Sequence, residues 1–187
     1  MHKKLSMDQL QRPSVDAFKS QAKLPVTLVL DNVRSMHNVG SAFRTADAFA
    51  IEQITLCGIT GTPPHREIEK TALGATRSVA WEHAVSTKEA VQALSSRGYS
   101  IIAVEQATGS TPLHQFGAIP HGKYALVFGN EVHGVSDEVM ALADSCIEIP
   151  QSGTKHSLNI AVSVGIVLWE LYSKIQLRFP GSENTPL

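Results

Sequence analysis

The stretch of the chain that decides its fold is residues 26–46, which read VTLVLDNVRSMHNVGSAFRTA. Residues 26–30 form an almost unbroken apolar run, and such runs are typical of a parallel β-strand covered on both faces. A polar turn leads into helical spacing over residues 39–49. At the start of this helix Asn38 is suited to accept a capping hydrogen bond, and Gly40 allows close backbone approach. A buried strand that passes through a polar turn into a helix is the repeating unit of a parallel α/β sheet.

The remaining sequence repeats this alternation of strand and helix. Further strands are predicted at 53–57, 79–84, 100–105, 124–128 and 146–149, and further helices at 87–96, 137–143 and 157–177. A segment rich in Gly, Thr and Pro, residues 58–68, is predicted to form a long loop. Ligands of such sheets bind at the carboxyl ends of the strands. We therefore expect the functional loops to follow residues 30, 105, 128 and 149.

The composition is that of an ordinary globular protein and excludes several classes. With 187 residues the chain is expected to form one domain, and a net charge of −1 counts against a protein that coats nucleic acid without specificity. Cys57 and Cys146 are far apart and form no C-x-x-C pair, which argues against a disulfide framework or a cysteine zinc site. No apolar run is long enough to predict a membrane span or a signal peptide. A reduced, cytoplasmic setting fits these features.

Motifs for nucleotide or metal binding fail on inspection. Residues 117–123, GAIPHGK, match the spacing of a phosphate-binding loop. However, Tyr124 replaces the required Ser or Thr, and the segment precedes a strand where a phosphate loop follows one. No G-x-G-x-x-G follows a predicted strand, and no histidine pair or Cys/His cluster has metal-ligand spacing. We therefore predict no metal site.

Two further segments carry a signal of the same kind as residues 26–46. Residues 126–135, LVFGNEVHGV, place a carboxylate, Glu131, between two glycines directly after a buried strand. Residues 147–166, IEIPQSGTKHSLNIAVSVGI, pass from a short strand through a polar loop into an apolar helix, with Ser157 as its predicted N-cap and Asn159 near its start. That helix is apolar around most of its circumference, which predicts either a central place in the core or a face shared with a second chain.

In this order and at these spacings, the three segments resemble the signature motifs of the SpoU family within the SPOUT methyltransferases. The likeness runs from about residue 26 to about residue 171. Residues 70–75, KTALGA, and the apolar strand after them are similar to the TrmH branch. Gln151 departs from the methionine that is common in the third motif, and Ala161 from a frequent serine.

The resemblance implies a fold class and a division of the chain. The fold is an α/β protein with a mostly parallel sheet flanked by helices, the SPOUT-type α/β knot, whose C-terminal segment forms a trefoil knot. Residues 1–24 are an N-terminal extension with a candidate RNA-contacting helix, residues 25–178 the SPOUT methyltransferase domain, and residues 179–187 a flexible tail. The resemblance also implies a homodimer.

The activity implied is transfer of a methyl group from S-adenosyl-L-methionine to a ribose 2′-hydroxyl of RNA, without a metal. By resemblance, the cofactor contacts are Ala107, Gly129, Ile149, Ser157 and Leu158. The catalytic group is Arg44, which is always protonated and is therefore better suited to stabilise developing alkoxide charge than to act as a base.

By the same resemblance, four side chains orient Arg44, the ribose and the cofactor: Asn38, Glu131, Ser157 and Asn159. We expect Arg44, Glu131 and Asn159 to converge around a pocket at the strand ends of Phe128 and Ile149.

Substrate identity and two alternatives stay open at this stage. Only about 25 residues precede the first strand, which favours tRNA over rRNA because many rRNA-specific members carry a large N-terminal domain. The N-terminal arm and a basic group at His65, Arg66, Lys70 and Arg77 are candidate RNA contacts. One alternative is a catalytically inactive RNA-binding SPOUT protein. The other is an unrelated nucleotide-binding α/β module, which would prefer ATP or a dinucleotide.

Overall fold

The computed structural model describes residues 2–6, 8–119 and 122–177. The strands in this part of the chain are β1 (Leu24–Asp31), β2 (Ile51–Cys57), β3 (Ala80–Ala84), β4 (Tyr99–Val104), β5 (Thr111–Pro112), β6 (Lys123–Phe128) and β7 (Ser145–Glu148). The α-helices are α1 (Val15–Ser20), α2 (Met36–Ala48), α3 (Arg66–Ala72), α4 (Thr87–Ser96), α5 (Asp137–Met140) and α6 (Ile160–Tyr172), which continues as a π-helical turn, Ser173–Leu177. The predicted tail, residues 179–187, lies outside the described residues.

The strands form one seven-stranded sheet in the order β3-β2-β1-β6-β4-β7-β5. Every pairing between named strands is parallel, which confirms the predicted parallel α/β sheet. In the register of the sheet, Phe128 at the end of β6 pairs with Leu30 of β1 on one side and with Val104 of β4 on the other. The carboxyl ends of these three strands therefore meet at one edge.

Side chains of β1 alternate between two cores, as the period of two in a strand requires. Leu28 and Leu30 belong to the core under α2, α3 and α6, whereas Val29 belongs to the core under α4 and α5. Both faces of the central strands are thus covered, which is why residues 26–30 read as an apolar run. Of the apolar residues predicted to make α6 central, Val164, Val167, Leu168 and Leu171 are fully buried in this chain, whereas Ile160 is only partly buried.

A buried carboxylate links the end of β1 to the opposite layer of helices. Asp31 is only 2% exposed. Its Oδ1 accepts a hydrogen bond from the Thr87 hydroxyl at 2.6 Å, and its Oδ2 accepts from the backbone N–H and the hydroxyl of Ser136 at 3.1 and 2.9 Å. These bonds hold the first residues of α4 and α5 against the edge of the sheet where the strands end.

A buried ammonium group performs a similar task at the other end of the chain. Lys174 is 5% exposed and pairs with Glu170 at 2.9 Å. Its Nζ also donates hydrogen bonds to the carbonyls of Leu113, His114 and Phe116. The end of α6 is therefore joined to the segment that follows β5.

Several local predictions were wrong. Helix α3 begins at Arg66, inside the predicted loop 58–68. The prediction missed this helix because it has only seven residues and is stabilised by packing on α2, which sequence periodicity does not reveal. Helix α5 ends at Met140 instead of residue 143. The two-residue strand β5 was not predicted.

The caps predicted for α2 and α6 were also wrong. Helix α2 is capped by Ser35, whose side chain accepts a hydrogen bond from the Asn38 N–H, which leaves the Asn38 amide free for other contacts. Helix α6 begins at Ile160 and not at residue 157, and its cap is Asn159 instead of Ser157. A later cap leaves Ser157 and Leu158 in the preceding loop.

No helix in the described ranges is both long and apolar enough to cross a membrane.

Candidate active site

A cavity of about 810 Å³ lies at the carboxyl ends of β4, β6 and β7. This volume is within the range of roughly 300–1,000 Å³ that small-molecule sites occupy. Its walls are the loops that follow these strands, as expected for a parallel sheet. The cavity is lined by all five residues predicted to contact a cofactor: Ala107, Gly129, Ile149, Ser157 and Leu158.

Glu131 and Asn159, which are distant in the sequence, also line the cavity and are joined through Asn38. The Asn38 amide nitrogen donates a hydrogen bond to Glu131 Oε1 at 3.1 Å. The Asn38 amide oxygen accepts one from Asn159 Nδ2 at 3.1 Å. The start of α2 is thus fastened to the loop after β6 and to the start of α6.

Glu131 also receives backbone hydrogen bonds at the beginning of α2. Its Oε2 accepts from the Arg34 N–H at 3.0 Å, and its Oε1 accepts from the Ser35 N–H at 3.1 Å. Partial burial raises the pKa of Glu131, but these backbone donors and the Asn38 amide favour the charged form and bring the pKa below its ordinary value. The carboxylate is therefore ionised at neutral pH and stabilises the helix start.

This lowered pKa predicts how stability depends on pH. A carboxyl whose pKa is lower in the folded state stabilises the protein above its unfolded pKa, roughly 4.3 for Glu, and the contribution disappears as the pH falls through the folded pKa. Glu131→Gln is expected to reduce the free energy of unfolding by a constant amount above pH 6 and by progressively less below about pH 4.3. Urea unfolding of both proteins between pH 3 and 8 measures the difference. A difference that does not change over this range would contradict the assignment.

Two glycines shape the loop that carries Glu131. A Cβ atom added at Gly129 would overlap the backbone of Gly134 and Val135, so the close approach at this point requires glycine. The approach is closed by paired backbone hydrogen bonds between Asn130 and Gly134, both 2.9 Å long. The loop therefore keeps a narrow turn at the wall of the cavity.

Glu105 is a cavity residue that sequence reasoning missed. Its carboxylate accepts hydrogen bonds from the N–H groups of Gln106 at 2.9 Å and Val135 at 3.1 Å, and so joins two loops of the site. The Gln106 side chain donates a hydrogen bond to the carbonyl of His156 at 2.7 Å, which joins the loop before α6 to the other two loops. The sequence did contain a signal for Glu105, because this carboxylate directly follows a buried strand at the edge of the sheet that was expected to bind a ligand.

Arg44 occupies a different position from the one expected. It lies on the exposed surface of α2, six residues beyond Asn38, and it is not among the residues that line the cavity. Within the described ranges, its guanidinium takes part in no hydrogen bond or ion pair. The structure thus brings together Asn38, Glu131 and Asn159 but leaves Arg44 outside the cavity, on the exposed surface of α2.

Metal binding was predicted to be absent. Among the residues that the structure describes, no three or more His, Cys, Asp or Glu side chains are grouped to hold a metal ion. Burial raises the pKa of the Cys57 thiol to about 12, so this cysteine is a core residue.

A parallel sheet with a ligand-sized cavity at its strand ends is typical of α/β proteins that bind a small molecule. Residues 25–169 match the family described as the SpoU rRNA Methylase family. Because this match covers most of the sequence, the chain belongs to the SpoU family.

Individual relatives agree with this membership. The chain is 29% identical over 163 residues to the tRNA (guanosine(18)-2′-O)-methyltransferase of Thermus thermophilus, a match that covers 87% of this chain and 81% of the relative. It is also 29% identical over 163 residues to the 23S rRNA (guanosine-2′-O-)-methyltransferase of Vibrio parahaemolyticus. This match covers 87% of this chain and 64% of the relative.

Among solved structures, the AdoMet-bound rRNA methyltransferase of Sinorhizobium meliloti superposes with a TM-score of 0.74 at 29% identity. The superposition covers 86% of this chain and 60% of that one. The chain spans between 44% and 64% of the length of several of its curated relatives.

Proposed function

We propose that this protein transfers a methyl group from S-adenosylmethionine to a ribose 2′-hydroxyl of RNA. The observation that carries the proposal is the cavity at the strand ends, whose wall includes Glu131 and Asn159 and is hydrogen-bonded to α2, the helix of Arg44. Two relatives are named as 2′-O-methyltransferases of RNA, and another was solved with AdoMet. A member of this family that contains such a cavity is suited to the same reaction.

The residues at the cavity fit a sulfonium nucleoside as methyl donor. Gly129 brings backbone close to the cavity, and the lining by Ile149 and Leu158 supplies apolar contact for an adenine ring. Glu105 holds two of the surrounding loops together. When bound, S-adenosylmethionine supplies an electrophilic methyl group with a good leaving group, so no metal is required.

The chemical difficulty is the ribose hydroxyl, which is a weak nucleophile until it loses its proton. Arg44 is always protonated, so its role is to stabilise the negative charge that develops on the 2′-oxygen and to contact an RNA phosphate. The proton passes to that phosphate or to a nearby group. Asn38, Glu131 and Asn159 position α2 relative to the cavity, while Ser157 faces the same cavity from the loop before α6.

A homodimer is the proposed working state. Although the core side of α6 is buried, its opposite side exposes Val162 (51%), Ile166 (38%) and Trp169 (54%), spaced as one helical face. Trp169 also packs on Phe49, the residue directly after α2, with ring centroids 6.3 Å apart. Sedimentation at micromolar concentration is expected to show a dimer, and a monomer alone would contradict it. The trefoil knot and the cytoplasmic location implied by the family resemblance stay predictions.

The proposed activity is tested by transfer of tritiated methyl groups from S-adenosylmethionine to unmodified total tRNA and, separately, to rRNA. We expect incorporation into tRNA in preference to rRNA, at a ribose of a single nucleotide that mapping identifies. Binding of RNA without any transfer would favour an inactive RNA-binding protein. The family match excludes the other alternative, an unrelated nucleotide-binding module. Preferential binding of ATP or a dinucleotide would contradict S-adenosylmethionine as the methyl donor.

A further inference from the structure

Helix α3 lies directly against the start of α2, with almost no space between their backbones. A Cβ atom added at Gly40 would overlap the Ile68 carbonyl and the Thr71 hydroxyl. The Thr71 hydroxyl donates a hydrogen bond to the His37 carbonyl at 3.2 Å. Since Gly40 permits this close approach, the exposed side chains of α3 have a defined position beside α2.

Helix α3 carries two permanent cations and two carboxylates, of which Glu69 accepts hydrogen bonds from the Thr76 hydroxyl and Glu67 lies near both cations. The side chains of Arg66 and Lys70 are 95% and 69% exposed. Between them, Glu67 lies 3.8 Å from Arg66 Nε and 4.0 Å from Lys70 Nζ. Glu67 Oε2 also lies 2.6 Å from His37 Nε2, which connects α3 to the first turn of α2.

These charges are connected to the cavity by a short series of contacts. Glu131, at the cavity wall, binds Asn38, and the adjacent His37 binds Glu67. The surface of α3 that carries Arg66 and Lys70 is therefore adjacent to the start of α2, which is hydrogen-bonded to the cavity wall through Asn38 and Glu131.

Arg44 lies on the same side of α2. It follows His37 by seven residues and Gly40 by four, and this spacing places the three residues on one face of a helix. That face is the one on which α3 packs. We call the surface formed by His37, Arg44, Arg66 and Lys70 the basic strip.

We propose that the basic strip binds the phosphates of the RNA strand that enters the active site. This inference rests on the proposed function and adds to it the path of the substrate. Phosphate contacts from Arg and Lys supply affinity and set the register of a nucleic acid without reading its sequence. In a chain of net charge −1, attraction to RNA must come from such a local group of cations. A strand held by Arg66 and Lys70 would continue along α2 to Arg44.

The experiment compares two matched double variants in RNA binding. Arg66→Ala with Lys70→Ala removes one Arg and one Lys from α3. Lys88→Ala with Arg97→Ala removes the same pair of residue types from α4 and from the position directly after it, on the other face of the sheet, where both side chains are exposed. Fluorescence anisotropy with labelled, unmodified tRNA and 23S rRNA transcripts is measured between 50 and 300 mM salt.

The α3 double variant is expected to bind RNA about tenfold more weakly at low salt, and its plot of log K against log salt to be shallower by about 1.4–1.8. The α4 double variant is expected to match the unaltered protein. Binding of S-adenosylmethionine and the thermal midpoint should be unchanged in both, which shows that the fold is intact. Equal slopes for the α3 variant and the unaltered protein would overturn the proposal.

Glu67→Gln is expected to act in the opposite direction. The change removes the carboxylate that competes with phosphate for Arg66 and Lys70, so RNA affinity at low salt should rise about two- to fivefold. If α3 had a purely structural role, Glu67→Gln would lower the affinity for RNA. That result would count against the basic strip.

The outcome also separates this inference from the proposed function, because the binding assay requires no methyl transfer. A salt slope that becomes shallower in the α3 double variant, in a protein that does not methylate RNA, would contradict the proposed function and leave the basic strip supported. Normal methylation with slopes unaffected by the α3 changes would contradict the strip alone.

Discussion

Arg44→Ala is expected to lower the rate of methyl transfer to RNA by about 100- to 1,000-fold, the usual cost of losing one donor to a developing oxyanion. Binding of S-adenosylmethionine should stay within about twofold of the unaltered protein, since Arg44 does not line the cavity. Single-turnover methylation with saturating cofactor measures the first quantity and calorimetric titration the second. Near-normal turnover would show that the assigned role is wrong.

Two further substitutions sharpen this prediction. Arg44→Lys should also lose most of the methyl-transfer rate, because a point charge does not reproduce the planar guanidinium fork that contacts an oxyanion and a phosphate together. Arg97→Ala, which removes an exposed arginine from the opposite face of the sheet, should leave the rate unchanged. A lysine variant that retained most of the activity would indicate simple charge attraction in place of oriented hydrogen bonding.

Gly129→Ala is expected to abolish measurable binding of S-adenosylmethionine and to reduce the free energy of unfolding by about 1–3 kcal/mol. The added methyl group would overlap the backbone of Gly134 and Val135, and backbone has little freedom to move. Relief of the overlap would open the hydrogen-bonded turn between Asn130 and Gly134 and displace the wall of the cavity. Calorimetric titration and urea unfolding provide the two measurements.

Gly153→Ala is the matched control for this change. Gly153 lies in the loop before α6, and an added Cβ atom there has no neighbouring atom within 4 Å. The Gly153→Ala variant should therefore bind the cofactor normally and unfold at nearly the same urea concentration as the unaltered protein. Cofactor binding by the Gly129 variant equal to that of the Gly153 variant would show that the narrow turn is dispensable.

The sequence predicted the sheet because its central strands have a simple local signature. Residues 26–30 are apolar except for Thr27 and residues 124–128 are apolar throughout, and the structure covers both faces of β1 and β6. The same reasoning placed the ligand loops at the strand ends, where the cavity is found. Prediction failed for α3, since a helix of seven residues has too few turns to show a periodic pattern.

What the sequence by itself determined is therefore the order of strands and helices, the parallel sheet and the loops that line the cavity, all of which follow from patterns within a few neighbouring residues. Only the tertiary structure decided that Asn38 bridges Glu131 and Asn159 instead of capping its helix. It also decided that Arg44 lies on the exposed surface of α2 and does not line the cavity. The bridging contacts join residues 93 and 121 positions apart, and local periodicity carries no information about pairs so distant in the chain.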